Sequence, residues 1–415
     1  QEPMELLELP GISLDYFLRG LAGEAYQDNA VFQELYSWYL QSPEYRILVK
    51  KLTEASFSER PSDKIGKTVA KILYGEISPY SATRLERFAA CAFAHFLQYG
   101  LKVTERAEYE FRAMDMGNVM HMALEKFAAE VRKEGLDWAE LTEEERNRII
   151  DSCLDQVSAD YGNTILKSSA RNEYMIERTR RILRRTVWAL QEQLKHGAFR
   201  PEGFEVRFQG GRIDRVDIME EPENNRVYVK VIDYKTGNTS FDLLALYHGL
   251  QLQLMVYLDG ALQVEKRKYP DREIVPAGVF YYNVKDPMIQ EKIHADMESI
   301  NEQMLKKMKM NGLVQADDNM STKIDSTMAS IPVSLNRDGS FSKRSSVASR
   351  KQFDALGAYV RRKICDIRES ILDGNAAVEP YELGKKNACT YCPYLTVCGF
   401  DRKIPGYEFH RLSSI

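Results

Sequence analysis

Asp214, Asp233 and Lys235 are the residues of this chain whose types and spacing best suit chemistry. They lie in Gly211-Arg212-Ile213-Asp214-Arg215-Val216-Asp217 and Val231-Ile232-Asp233-Tyr234-Lys235-Thr236-Gly237, two β-branched runs on either side of the turn-forming Glu220-Glu221-Pro222-Glu223-Asn224-Asn225. That pattern predicts a hairpin. A loop centred on Glu223 and Asn224 sets Ile218 against Val229, Val216 against Val231 and Asp214 against Asp233. Opposed side chains have Cβ atoms roughly 5 Å apart, and two carboxylates there repel unless a cation lies between them. Alternation puts Lys235 on the face of Asp233 and turns Tyr234 away. Carboxylates that hold Mg²⁺ or Mn²⁺, beside a lysine that orients water or offsets charge, suit metal-dependent phosphodiester cleavage. The plainer alternative is a surface hairpin of alternating charges. It is disfavoured because the acids share a face with Val216, Ile218, Val229 and Val231, where an unpaired carboxylate is costly.

Other residues extend this set. His121, in Gly117-Asn118-Val119-Met120-His121, shares a helical face with Leu124 and Ala128, and Gly117 one turn earlier permits close approach of another segment. Alone such a histidine is more often a core residue; beside the hairpin its imidazole is expected to complete a metal shell. Gln253 and Tyr257, four apart on a helix with Leu250, Leu254 and Leu258, are expected to point inward and steady the lysine, a water or a phosphate. Glu205, on the strand before the hairpin, is a weaker candidate for a further carboxylate. Cys389-x₂-Cys392-x₅-Cys398 is a compact chelating loop with a distant fourth thiol at Cys91. One close cysteine pair is too few for a zinc ribbon, and the set suits a [4Fe–4S] cluster tying two ends of a domain together, with zinc still open. Cys153 and Cys365 are expected to be core thiols. Arg178, Arg181 and Arg185 form a stripe beside Arg180 and Arg184, which is ordinarily a solvated face and near a phosphodiester site would guide DNA.

The elements that must position these residues can be read in outline. Helical spacing fills the first 75 residues; helices are expected from Ser81 or Thr83 to near Gly100, from Asp115 to Arg132, and two or three times over 137–198. Strands follow at 204–209, 211–219 and 226–235, a helix at 242–262, a strand at 273–283, a helix at 287–311, a long variable excursion at 314–350 and a helix at 351–373. This is a mixed α/β core with helical insertions. Ile65-Gly66-Lys67-Thr68 is no phosphate loop, because Pro61 stands where the first glycine belongs. A net charge of −4 excludes a uniformly basic DNA-coating protein. Without a signal peptide or a membrane-length apolar run, a cytoplasmic protein with no membrane contact is expected. Because the chain starts at Gln1, it is expected to be part of a longer polypeptide.

In order, Gly117…His121…Leu124-Glu125, Gly211…Asp217, Val231…Lys235, Gln253…Tyr257 and Cys91…Cys389, Cys392, Cys398 resemble the motifs of RecB-like nucleases of the PD-(D/E)xK superfamily. With Leu73-Tyr74-Gly75…Ser81-Ala82-Thr83-Arg84-Leu85-Glu86, the cysteine pattern resembles specifically the C-terminal nuclease region of AddB (RexB-type) subunits of bacterial helicase–nucleases. The likeness covers about residues 70 to 405 and departs at Ala92, where proline commonly follows the cysteine, and at Asn118, usually a small hydroxyl residue. It implies a restriction-endonuclease-like α/β core, a mixed sheet flanked by helices and closed by an iron–sulfur staple. The implied domains are a helical lead-in at 1–78, the nuclease domain at 79–405 and a tail at 406–415. By the same resemblance Asp214, Asp233 and His121 bind Mg²⁺, Lys235 is catalytic, Gln253 and Tyr257 complete the set, and the cluster is structural. The implied activity is a 5′–3′ deoxyribonuclease acting on single-stranded DNA from an unwound end, in recombinational repair, beside an AddA-type helicase–nuclease subunit. A stand-alone RecB-like exonuclease and a chemically silent, cluster-stapled DNA-binding module are the alternatives.

Overall fold

The β-branched runs around the acids form the middle of a sheet, and helices cover both of its faces. The computed structural model describes residues 10–21, 30–56, 64–75, 81–106, 113–161, 169–289, 296–404 and 406–413. The elements in chain order are α1 (Pro10–Leu21), α2 (Ala30–Gln41), α3 (Arg46–Ser56), α4 (Lys67–Tyr74), α5 (Ala82–Ala90), α6 (Ala92–His95), α7 (Ala113–Lys133), α8 (Glu143–Asp160) and α9 (Ala170–Lys195). Then come β1 (Arg200–Phe208), β2 (Gly211–Glu221), β3 (Arg226–Lys235), α10 (Leu243–Tyr247), α11 (Gln253–Lys268), β4 (Glu273–Asn283), α12 (Met297–Lys307), β5 (Asn311–Gln315), α13 (Met320–Ile324), β6 (Val347–Ala348) and α14 (Arg350–Leu372). The chain closes with β7 (Tyr381–Leu383), β8 (Lys386–Asn387), α15 (Leu395–Cys398) and β9 (His410–Arg411).

Two compact units divide the chain, residues 1–62 and 63–415. In the first, α1 to α3 pack around Phe17, Tyr39 and Val49, with the Tyr39 hydroxyl donating to Pro10 O at 2.7 Å. In the second, α4 packs by Ala70 and Tyr74 into the sheet's core, and Ile65 N–H bonds Gly374 O at 2.9 Å. The division therefore falls ahead of residue 78.

The main sheet has six strands in the order β1-β2-β3-β4-β5-β6. β2 and β3 pair antiparallel with Val216 opposite Val231 and Ile218 opposite Val229, the register expected from the turn. β3 runs parallel to β4, and the crossover between them carries α10 and α11. A strand buried on both faces reads as a continuous apolar run, and β3 does so. Its Tyr228, Ile232 and Tyr234 enter the core made with α7, α8 and α9, while Val227, Val229 and Val231 enter the core made with α5, α11 and α14. Each fully buried valine there contributes about 1.5–3 kcal/mol. No helix among the described residues is long and apolar enough to cross a membrane.

Several elements depart from the sequence-based outline. The helix expected at 242–262 is broken: α10 ends at Tyr247, Gly249 takes φ +81°, and α11 begins at Gln253 and runs on to Lys268. A side chain at Gly249 would be strained by that φ and would press on Ala89 and Lys363 at 3.3 Å. Of the helix expected at 287–311, Met297–Lys307 is helical, 287–289 and 308–310 are not, and 290–295 lie outside the described residues. Asn311–Gln315 instead forms β5 against β4, and 314–350 holds β6 and α13. The helix expected from Ser81 to Gly100 breaks at Cys91, whose backbone is extended.

Candidate active site and four-cysteine site

Three carboxylates line up across β1, β2 and β3. The pairs Phe204–Arg215 and Val206–Ile213 leave Glu205 opposite Asp214, and the β2–β3 pairing ends at Arg215–Ile232, one residue short of Asp214 and Asp233. Glu205 has φ +49°, an uncommon backbone for a side chain of its size. One atom each of His121, Glu205 and Asp214 lies within 4.8 Å of the others, a spacing that can hold a metal ion. Asp214 Oδ2 accepts the Tyr234 N–H at 2.7 Å and lies 3.4 Å from His121 Nδ1. α7 brings His121 in, and Gly117 one turn earlier lies against the Thr236 side chain, where a Cβ would meet Oγ1 at 3.2 Å.

Asp233, 2% exposed, faces Lys235 Nζ at 2.7 Å. Lys235 Nζ also donates to Gln253 Oε1 at 2.7 Å, and Gln253 Nε2 donates to the Tyr257 hydroxyl at 2.9 Å. The ammonium stands 5.4 Å over the Tyr281 ring. Asp233, Lys235, Gln253 and Tyr257 therefore form one chain beside the His121–Glu205–Asp214 group. Asp233 lies outside that group, and its Oδ2 meets the lysine instead.

Burial governs the protonation of these groups. It raises Asp214 well above the usual carboxylate range, with the Asp233 charge adding to the effect. Asp233 is raised for the same reason, with Lys235 opposing, and Glu205 is raised by burial against Arg212. His121 is lowered by burial and then by the Lys235 ammonium, which favours the neutral imidazole that metals bind. Asp233 Oδ2 and Glu205 Oε2 are buried without a hydrogen bond of good geometry, each facing a cation. Buried oxygens left in that state suit a further cation.

The reverse face of the same strands is filled by ions of another kind. Arg215 donates to both oxygens of Asp217, at 2.6 and 3.0 Å, and Lys230 Nζ lies 2.9 Å from Asp217 Oδ2. The Arg215 guanidinium stacks 5.0 Å over Trp138. The second aspartate of Gly211…Asp217 thus faces away from the candidate site.

Cys91, Cys389, Cys392 and Cys398 line one cavity with Phe93, Val378, Pro380, Tyr394 and Phe400. None is in a disulfide, and burial raises the Cys91 thiol and pushes Cys389 up to about 11. Four thiols in an apolar shell fit a soft metal centre. Cys153 is a core thiol as expected. Cys365 is exposed, a correction: α14 buries Phe353, Val360, Ile367 and Ile371, and Cys365 falls off that face.

The arginine stripe on α9 is engaged mostly within the protein. Arg181 pairs with Asp286 at 2.6 Å, Arg185 lies 5.4 Å over Trp188, and Arg180 bonds Asp155 at 2.6 Å. Arg184 pairs with Asp151, and Arg178 is exposed. Sequence reasoning assigned no role to Glu86. Its Oε1 accepts the N–H groups of Leu252 and Gln253 at 2.7 and 2.9 Å, and burial pushes its carboxyl up to about 7. The only trace in the sequence is its place in Leu85-Glu86, 166 residues before its partner.

Residues 79–399 match the PD-(D/E)XK nuclease superfamily, a span that takes in the acids, the lysine and all four clustered cysteines. The chain belongs to that superfamily. The B subunit of an ATP-dependent helicase/deoxyribonuclease from Lachnoclostridium phytofermentans is 39% identical over 97% of this chain and 36% of its own length. Its counterpart of the same name from Alkaliphilus metalliredigens is 35% identical over 92% of this chain and 35% of its own length, and the one from Thermoanaerobacter sp. (strain X514) is 34% identical over the same shares. The chain spans about a third of the length of these curated relatives.

Proposed function

We propose that this chain is the metal-dependent deoxyribonuclease part of a helicase–nuclease of that two-subunit kind. The observation that carries the reading is the carboxylate row Glu205, Asp214, Asp233 with His121 on one side and Lys235 on the other. His121, Asp214 and Asp233 are the proposed holders of Mg²⁺ or Mn²⁺, and Glu205 adds an oxygen beside Asp214. A divalent cation there supplies Lewis acidity toward a phosphate oxygen and a water of lowered pKa. Lys235 orients that water and offsets charge. Gln253 aims the ammonium, and Tyr257 fixes the amide so that its oxygen faces the lysine. Mn²⁺ titration followed by electron paramagnetic resonance should give saturable binding that weakens about tenfold or more in Asp214→Ala. Equal binding by that variant would remove the metal assignment.

The four cysteines would hold a [4Fe–4S] cluster with a structural role. Cys398→Ser should lose most of the iron and the brown colour of anaerobically purified protein, whereas stoichiometric zinc in a colourless wild type would replace iron by zinc in this reading. The names of the relatives support a deoxyribonuclease that works with a helicase. The wider role proposed here is cutting single-stranded DNA, on the 5′-ended strand, as a helicase unwinds a broken end for recombinational repair. An AddA-type helicase–nuclease subunit is the proposed partner and the cytoplasm the proposed place. Arg178, Arg181 and Arg185 are proposed to guide the DNA backbone, Arg181 from an ion pair with Asp286 that leaves its side chain 68% exposed.

A further inference from the structure

Helix α11 has no cap of its own. The residue before it, Leu252, is helical and offers no side-chain acceptor, so the first N–H groups of α11 need a partner from elsewhere. Glu86 supplies it from α5, with one carboxylate oxygen taking both Leu252 N–H and Gln253 N–H. A negative group at a helix start is favoured further by the helix dipole. The first residue of α11 is also the one whose amide oxygen holds Lys235 Nζ. Glu86 therefore fixes the backbone that carries the lysine's hydrogen-bond acceptor.

The same helix reaches the four-cysteine site. Arg87, next to Glu86, places Nη2 3.7 Å from Cys392 Sγ and its guanidinium 5.6 Å over the Tyr394 ring. Its Nε is buried without a hydrogen-bond partner. Cys91 is the residue at which α5 stops. Nine residues of helix, Ala82–Ala90, thus carry Glu86 toward one site and Arg87 and Cys91 toward the other. Leu85 and Phe88 lock the helix into the sheet's core between them.

We propose that Glu86 is a positioning residue for Lys235, acting through the first turn of α11, and that α5 conveys to it whether the four-cysteine site is filled. A filled site anchors Cys91 and gives Arg87 a fixed anionic sulfur, so Glu86 is held where Leu252 and Gln253 need it. An empty site releases that end of α5, and the lysine's acceptor loosens. The inference rests on the nuclease reading only for what Lys235 does; the coupling between the two sites is mechanical.

The test is amide hydrogen exchange of the full chain, iron-loaded and iron-free, in wild type, E86A and E86Q, followed on peptides covering 250–258, with β4 as the control for global unfolding. E86A should exchange roughly five- to tenfold faster at the start of α11 than wild type. E86Q should stay near wild type, because a single amide oxygen can accept both bonds. Iron-free wild type should speed up at the same peptides while β4 is unchanged. In cleavage assays E86A should lose on the order of 10–100-fold in kcat with KM unchanged, and E86Q should recover most of it. If E86A does not fold, E86D, which draws the carboxylate back by one methylene, makes the same discrimination. Exchange at 250–258 that is indifferent to E86A, or to removal of iron, overturns the proposal. A wild type that cuts no DNA defeats the nuclease reading instead, and exchange still decides the coupling.

Discussion

Replacing Lys235 by alanine should slow cleavage of single-stranded DNA in Mg²⁺ by about 10³-fold while DNA binding stays within a few-fold, by analogy with loss of one preorganised stabilising group. Nζ is 2.7 Å from both Asp233 and Gln253 Oε1, and the side chain is 27% exposed, so it is fixed in direction and still reachable by a substrate. Removing it leaves Asp233 buried near Asp214 without the one ion-pair partner it has among the described residues. Asp233→Ala should be as inactive for a different reason, the loss of a proposed metal ligand. Single-turnover kinetics on a labelled oligonucleotide, with binding by fluorescence anisotropy, separate the two quantities. Wild-type rates in Lys235→Ala would rule out its catalytic role, and equal inertness of wild type and both variants would leave a silent DNA-binding module.

On the reverse face of the same strands, Asp217→Ala should destabilise the protein by about 3–5 kcal/mol, because it strands Arg215 and Lys230 without their shared counter-ion. Arg215 and Asp217 are 1% and 0% exposed, so water does not replace what is lost. Urea unfolding followed by circular dichroism measures this, and a change under about 1 kcal/mol would show that the cluster relaxes freely. The pH dependence has a definite sign. Burial alone would raise Asp217, but Arg215 and Lys230 hold its carboxyl below the usual value. Its contribution is therefore fully present above the unfolded-state value of about 3.9 and is lost as the pH falls through the lower, folded one. Asp217→Asn should flatten that acid limb.

The hairpin was readable because a strand's period of two ties register to burial: one turn centre placed Val216, Ile218, Val229 and Val231 on a shared face, and they pack there. Gln253 and Tyr257 were readable for the same kind of reason, a four-residue spacing that survives wherever the helix begins. Its beginning was not readable. Leu250 and Leu254 continue a helical pattern through the break at Gly249, and the first N–H groups of α11 are satisfied by a residue 166 positions upstream. β5 was missed because five residues bounded by polar sequence carry little periodicity, and β4 supplies their burial. The ion pairs of the arginines on α9 were not readable, because Asp151 and Asp286 are near in space and remote in sequence. Glu205 was a weak candidate on sequence, since its position opposite Asp214 depends on how β1 joins the hairpin.

The contact between Arg87 and Cys392 spans 305 residues, and that between Tyr394 and Val103 spans 291. A ribosome making this segment releases α5 well before the sulfurs of Cys389, Cys392 and Cys398, which share a cavity with Cys91. Final closure therefore waits on that intervening stretch of synthesis. Until Cys398 has left the exit tunnel, Cys91 waits in a half-finished pocket, open to oxidants.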